Sequence, residues 1–583
     1  MSGRWQKLNN APSADGTRIN VSTMLLATDG TVMCQTAGGQ QWLRLRPDGR
    51  GGYLNGTFSV IHPMITGRLY YASAVLKNAR VIVCGGEYVA GLGQVETNAC
   101  EMFDPVSATW TSISPPAGWK RIGDAACAVL PDGRFLMGNI DDTRSAIYDP
   151  VAGTWSDAGT KNSRSAEESW VLMPDGTVLT VECNTSQQAE LYVPAKKAWI
   201  MAGTTKSLLV EASSSEIGPA ILLPDHRAFF VGATGHTAIY TPGASGTIGT
   251  WSNGPDLPMD ANKAQLIAKD APGCLMPNGK VLLALGPKVG PNVNQGYGTP
   301  TSFYEFDGAA YQRTSDPGNS AGAPYNGRML LLPNGQVLFA AGTAEIWIYQ
   351  PDGAPKLEWA PVIESVPSQL IAGKSYSVSG QQFNGLSQAV AYGDDASAAT
   401  NYPLVQLKNP TSGLVIYCRT FDHSTMAVAT GAAKTATNFE VPAGTKPDNY
   451  EIRVIANGIA SLPHKVAVAA ATPAASLSVS ANALSQSLAK APEWAVGSGG
   501  SVPLEGMAPA EQRRAKAAYR DVAKGLAALD KLATAARRSA VAAAKKVPPA
   551  IDLEALGLDH DDDGGDKDAA SKRRAKPARK ARR

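Results

Sequence analysis

Counting seven to nine residues back from the Asp or Asn of successive hairpin turns lands on Tyr70, Asp124, Glu167 with Glu168, Glu216, Asp270, and Tyr325 with Asn326. The first turn alone gives neither an acid nor a phenol, only Asn20 and Val21. Carboxylates and phenols at one register, gathered around a common axis, repel one another unless a cation or a hydrogen-bond donor stands among them. Such a cup suits a hard divalent cation or a basic group. Its existence depends on whether the chain brings these positions together.

The turns that set this register recur as ATDGTVM, LKNARVIV, LPDGRFLM, MPDGTVLT, LPDHRAFF, MPNGKVLL and LPNGQVLF, seven copies of apolar strand, turn and apolar strand. Asp-Gly and Asn-Gly supply the positive φ of a tight hairpin. A third strand follows, ending as Phe103-Asp-Pro, Tyr148-Asp-Pro, Tyr192-Val-Pro, Tyr240-Thr-Pro or Tyr349-Gln-Pro, and then a tryptophan at Trp110, Trp155, Trp199 or Trp251. The first four of these aromatic endings lie 45, 44 and 48 residues apart. Four short strands at that period are the signature of propeller blades. The spacing predicts seven blades over 18–62, 67–115, 120–160, 165–203, 210–258, 265–315 and 322–360, with the recurring tryptophans as packing plates between them. Trp5, in RWQKL, matches the outer-strand pattern and predicts closure of the ring by the opposite chain end.

The repeat stops after Pro361. Residues 1–361 are thus expected to form a seven-bladed β-propeller. Residues 362–470, with short alternating strands such as YSVSGQQF and YEIRVIAN, are expected to form an immunoglobulin-like β-sandwich. The fold class is all-β, followed by a helical and then disordered charged tail. Residues 471–506 read as a linker, 507–547 as an Ala-rich amphipathic helix with Tyr519, Val522, Leu526, Leu529 and Leu532 at helical spacing, and 548–583 as an acidic and then basic disordered tail. The acidic DHDDDGGDKD opens like a calcium loop, but its twelfth position is Ala570 where a glutamate is needed, so it reads as a solvated charge run. The basic terminus is the one feature suited to nucleic acid.

The chain has 583 residues, 44% hydrophobic, with a formal net charge of +3. No apolar run of about 18 residues appears, so no transmembrane helix is expected. The N-terminus lacks an apolar signal core, which predicts a cytoplasmic protein or export by a route not written there. The seven cysteines form no CxxC spacing and read as buried thiols.

The segments GRLYYASAVL…VIVCGG, APYNGRMLLLPNGQVLFAAG and RTFDHSTMAVATG resemble the galactose oxidase and glyoxal oxidase family over residues 18–470. That resemblance implies a kelch-type propeller with a C-terminal immunoglobulin-like (early set) domain. It also implies a mononuclear copper on the axis, held by two tyrosines and two histidines, with one tyrosine crosslinked to a cysteine as a radical. On this resemblance Tyr70 and Tyr325 are the tyrosines, and His423 is the histidine delivered by the last domain. Asn326 stands where the family has the other histidine. The first blade has RINVSTM where the family has its cysteine, so no Cys–Tyr radical cofactor is expected.

Three functional readings follow. The first is a binding or interaction protein with an acidic, tyrosine-containing axial pocket suited to a cation and to a carbohydrate or protein ligand. The second is an oxidase of primary alcohols or aldehydes using copper or another divalent metal at Tyr70, Tyr325 and His423, with Asp124, Glu168, Glu216 or Asp270 completing an altered shell. The third is an assembly protein whose C-terminal helix docks a partner. The loss of two of the family's five key side chains favours the first, non-enzymatic reading.

Overall fold

The computed structural model describes residues 2–184, 187–244, 247–290, 296–392 and 398–470. The helix, acidic run and basic terminus expected beyond 470 lie outside the described residues. No helix among the described residues is long and apolar enough to cross a membrane.

The structure is all-β. Seven four-stranded antiparallel blades succeed one another, with inner strands Val21–Leu26, Ala72–Val75, Cys127–Val129, Val171–Leu172, Ala220–Leu222, Gly273–Leu275 and Arg328–Leu331. The inner strand of blade 7 packs against that of blade 1, so the ring is closed. Each inner hairpin turns on a residue with positive φ, at Gly30, Ala79, Gly133, Gly176, His226, Gly279 and Gly335. Five of these are the glycine that such a turn favours.

The outer aromatic pairs explain how blades are joined. Trp110 lies opposite Phe103, Trp155 opposite Tyr148, Trp199 opposite Tyr192 and Trp251 opposite Tyr240, with ring centroids 5.1–5.3 Å apart. Each indole N–H then reaches back toward the preceding blade. Trp110 donates to His62 O (3.1 Å), Trp155 to Ser114 O (2.7 Å), Trp199 to Ser145 Oγ (2.8 Å) and Trp251 to Ala202 O (2.9 Å). The apolar plate fills the gap between blades while its polar edge is satisfied across it.

Trp5 obeys the same rule. The first strand, Arg4–Lys7, is the outer strand of blade 7, pairing Trp5 with Tyr349 and donating its indole N–H to Ser315 O (2.9 Å). The ring is therefore fastened by a strand that precedes its first blade.

A second β unit follows the propeller. Its strands run in the order Val362–Ser365, Ser375–Gln381, Lys434–Glu440, Val415–Phe421, Leu404–Lys408, Asp448–Ala456, His464–Ala469 and Gln369–Ile371. Val378, Phe383, Leu407, Phe439, Ile452 and Val466 belong to its separate core. This unit rests on the hairpin-turn end of the propeller. Thr420 N donates to Thr28 O (3.1 Å) and Met426 N to Pro131 O (2.9 Å).

One segment leaves it and enters the ring. Val390–Ala391 pairs with the inner strand of blade 6, Gln388 Oε1 accepts from Leu172 N of blade 4 (2.8 Å), and Tyr402 Oη donates to Leu26 O of blade 1. These contacts with blades on several sides place the segment along the axis.

Candidate functional site: the mouth of the propeller axis

Three of the register positions share an unusual backbone. Tyr70 (φ 53°), Glu167 (φ 56°) and Asp270 (φ 50°), each eight residues before its turn, all adopt the left-handed conformation. Non-glycine residues seldom do so, and such strain clusters where side chains are held for a purpose. The kink precedes each inner strand and lies at the end of the propeller opposite the hairpin turns.

Tyr70 and Tyr325 are brought together there. They share one apolar cluster with Leu69, Tyr88 and Ala323, against which half-buried Tyr297 packs. Tyr325 sits in the short 3-10 turn Pro324–Asn326, and its ring lies 4.5 Å from that of Tyr297. Tyr88 stands edge-on to Tyr70 at 6.1 Å. The axial segment adds a fifth phenol, Tyr392, whose hydroxyl donates to Tyr325 O (2.5 Å) and whose carbonyl accepts from Ser169 Oγ (3.1 Å).

The acids divide. Glu216, of blade 5, accepts from Tyr297 Oη (2.5 Å) and so belongs to the tyrosine cluster. Asp270 follows Lys269, whose ammonium lies 4.2 Å from the Tyr297 ring and 3.7 Å from Glu211. Asp124 is buried before the inner strand of blade 3, next to Gly123, where a Cβ would lie 2.3 Å from Glu96 Oε2. Asn326, directly after Tyr325, is half-buried and its N–H donates to Ala323 O (3.2 Å).

Glu168 turns into its own blade instead. Its Oε2 accepts from Trp170 Nε1 (3.0 Å) and lies 3.1 Å from Lys161 Nζ, which also bonds Glu190 (2.5 Å). Glu182 joins this buried group through Asn162 (3.2 Å). One buried ammonium thus serves two buried carboxylates directly. Burial pushes the Glu168 carboxyl up to about 7, outweighing the lowering by Lys161.

An unfolded glutamate would release its proton near 4.5. The contribution of Glu168 to stability is therefore fully present below that pH and is lost as pH rises through about 7. We expect Glu168→Gln to flatten the fall in unfolding free energy between pH 5 and pH 8 by on the order of 3 kcal/mol. Urea titrations of both proteins at the two pH values measure it, and equal slopes would refute it.

His423 is not at this mouth. Its N–H donates to Lys77 O (3.3 Å) in the blade 2 hairpin turn, and its ring stacks on Tyr402 at 6.0 Å. Tyr70 and Lys77 flank opposite ends of the inner strand Ala72–Val75, at most about 23 Å apart at about 3.3 Å per residue. Nδ1 shares a hydrogen bond with Thr437 Oγ1 (2.8 Å), while burial and Lys77 drive the imidazole down to about 3. The second unit does send a segment up the axis, but that segment carries Tyr392, not His423.

The sequence reading also passed over Arg328, Lys269 and Tyr297. Lys269 occupies the same pre-strand register as the acids, one residue before Asp270, whereas Arg328, two after Asn326, opens the inner strand just beyond that register, so a search one residue wider and for both signs of charge finds them. Their guanidinium and ammonium turn an acidic cup into one with charges of both signs.

Copper fits this donor set poorly. The described histidines His62, His226, His236, His423 and His464 all lie away from the tyrosine cluster, and copper favours imidazole nitrogen. Among the described residues, no three His, Cys, Asp or Glu side chains converge as a metal-binding group. The Arg328 guanidinium lies 5.5 Å from the Tyr70 ring. A divalent ion about 5 Å from that charge would be repelled by about 7 kcal/mol at an effective dielectric of about 20, before offset by nearby carboxylates.

No family model matches the chain, and no curated protein matches it. Among solved structures, the chain is similar to a fungal alcohol oxidase of the AA5 family in complex with copper, at 16% identity and a TM-score of 0.46, over 80% of this chain and 99% of that one. It is also similar to virginiamycin B lyase from Staphylococcus aureus, at 10% identity and a TM-score of 0.40, over 60% of this chain and 99% of the lyase.

Proposed function

We propose that the protein is a binding protein whose axial mouth takes a carbohydrate. The observation that carries this reading is Tyr297, a half-buried phenol whose ring packs 4.5 Å from Tyr325 and whose hydroxyl is held by Glu216 (2.5 Å). Aromatic faces cover the C–H faces of a sugar ring, and the carboxylates and cations around them accept from and donate to its hydroxyls. A concave site of aromatic walls with a few placed polar groups is the usual form of a small-ligand pocket. We read residues 362–470 as an immunoglobulin-like domain, supported by its mainly antiparallel strands around a separate core, and as the element that completes the mouth through Tyr392.

The test is a glycan-array screen of the full chain, with calorimetry on the best ligand. Tyr297→Ala should weaken binding at least tenfold, or about 1.4 kcal/mol, with an unfolding midpoint close to wild type. Absence of any glycan ligand, or equal affinity in Tyr297→Ala, would sink the proposal. Hydrogen peroxide release from primary alcohols or aldehydes, lost in Tyr325→Phe, would replace it with the oxidase reading.

A further inference from the structure

We infer that the guanidinium of Arg328 is the resident cation of the axial mouth, standing where the galactose oxidase resemblance would put copper and excluding that metal. Arg328 opens the inner strand of blade 7, three residues after Tyr325, and is 4% exposed. Its Nη1 donates to Tyr325 O (2.7 Å) and Gly327 O (2.9 Å), which ties it to the turn that presents Tyr325. Its Cζ lies 3.9 Å from the Tyr392 ring and 5.5 Å from the Tyr70 ring.

The cation is thus held by blade 7, by a ring of blade 2 and by a ring of the second unit. Two phenol faces within about 6 Å of a guanidinium are a cation–π arrangement. A copper site would instead need phenolate oxygens and imidazoles aimed at one point. A guanidinium stays charged at every accessible pH, so the exclusion is permanent. On this view Asn326, standing where the resemblance puts a histidine, and Arg328 belong together. One removes a donor to a metal, and the other supplies a charge in its place. The inference stands on this geometry and does not depend on the carbohydrate reading.

The experiment equilibrates full-length protein with Cu(II), removes loose metal by gel filtration, and reads bound copper together with phenolate-to-copper charge-transfer absorption. Wild type and Asn326→His, which keeps Arg328, should show no such band. Asn326→His/Arg328→Gln should retain at least tenfold more copper and show the band, and adding Tyr325→Phe should weaken it. Asn326→His/Arg328→Lys should behave as Asn326→His does.

A charge-transfer band in wild type or in Asn326→His overturns the inference, whatever the double variants do. So does its absence from a folded Asn326→His/Arg328→Gln protein. Circular dichroism establishes folding, and Asn326→His/Arg328→Met replaces the glutamine variant if the latter does not fold.

Discussion

Arg68→Met should lower the free energy of unfolding by about 3–5 kcal/mol, the usual result of removing one partner from a buried ion pair. Arg68 is completely buried in blade 2, and its guanidinium pairs with the equally buried Glu101. It also donates through Nη1 to Gly85 O (2.8 Å) and Ala99 O (2.5 Å), while Glu101 accepts from Ile65 N (2.6 Å) and Thr66 N (3.0 Å). Truncating the arginine leaves two carbonyls and a carboxylate in an apolar interior with fewer donors than they need. Because Arg68 lies two residues before Tyr70, the same change loosens the chain where it kinks toward the mouth.

Urea unfolding at constant m-value reads the loss as a lower midpoint. The double variant Arg68→Met/Glu101→Leu should recover part of it, since removing both charges is less harmful than orphaning one. A midpoint unchanged in Arg68→Met, or a double variant whose loss is the full sum of the two single ones, would refute this account.

The second large effect is expected at the ring closure. Trp5 packs against Phe303 (4.9 Å), Phe339 (5.7 Å) and Tyr349 (4.8 Å). Trp5→Ala should cost about 3 kcal/mol, toward the lower end for a large aromatic because the ring is partly exposed. Deleting residues 2–8 should be more severe, because it also strips the strand from Ile346–Gln350 and leaves an unpaired edge. We expect the deletion to shift the chain toward aggregates in size-exclusion chromatography and to lower the melting temperature by more than Trp5→Ala does. A monomeric deletion variant melting within about 1 °C of wild type, an interval below about 1 kcal/mol for a domain of this size, would show the fastening to be dispensable.

What the sequence made legible was local or periodic. The Asp-Gly and Asn-Gly turns are read because each tight hairpin closes on one residue of positive φ, which glycine adopts freely, and even the exceptions Ala79 and His226 keep that conformation. The tryptophan period is read because each blade repeats one packing problem. The register that gathers Tyr70 and Tyr325 was visible for the same reason, since both are counted from a turn in their own blade.

Charge at that register was only half legible. Acids stand out at the −7 to −9 positions, whereas Lys269 and Arg328 are read as neutralising partners only once their distances to Glu211 and the tyrosines are known. Which segment of the second unit reaches the axis was not legible at all. His423 and Tyr392 both lie in connections of that unit, and no spacing rule says which connection passes through a ring built from the preceding 350 residues. Pairing of Val390–Ala391 with blade 6 decides it, a contact between strands more than a hundred residues apart.

The strand Arg4–Lys7 has a consequence for synthesis. It leaves the ribosome ahead of all seven blades, yet its partner Tyr349 follows about 340 residues later, roughly 20–70 s at ordinary translation rates. Through that interval the leading strand, with its tryptophan, has no blade to join, and the growing array of blades has no seam. The nascent protein is an open arc whose two free edges must be kept from other chains until its last blade emerges. Codon choice or chaperone supply near residue 350 should therefore govern yield more than either does near the start.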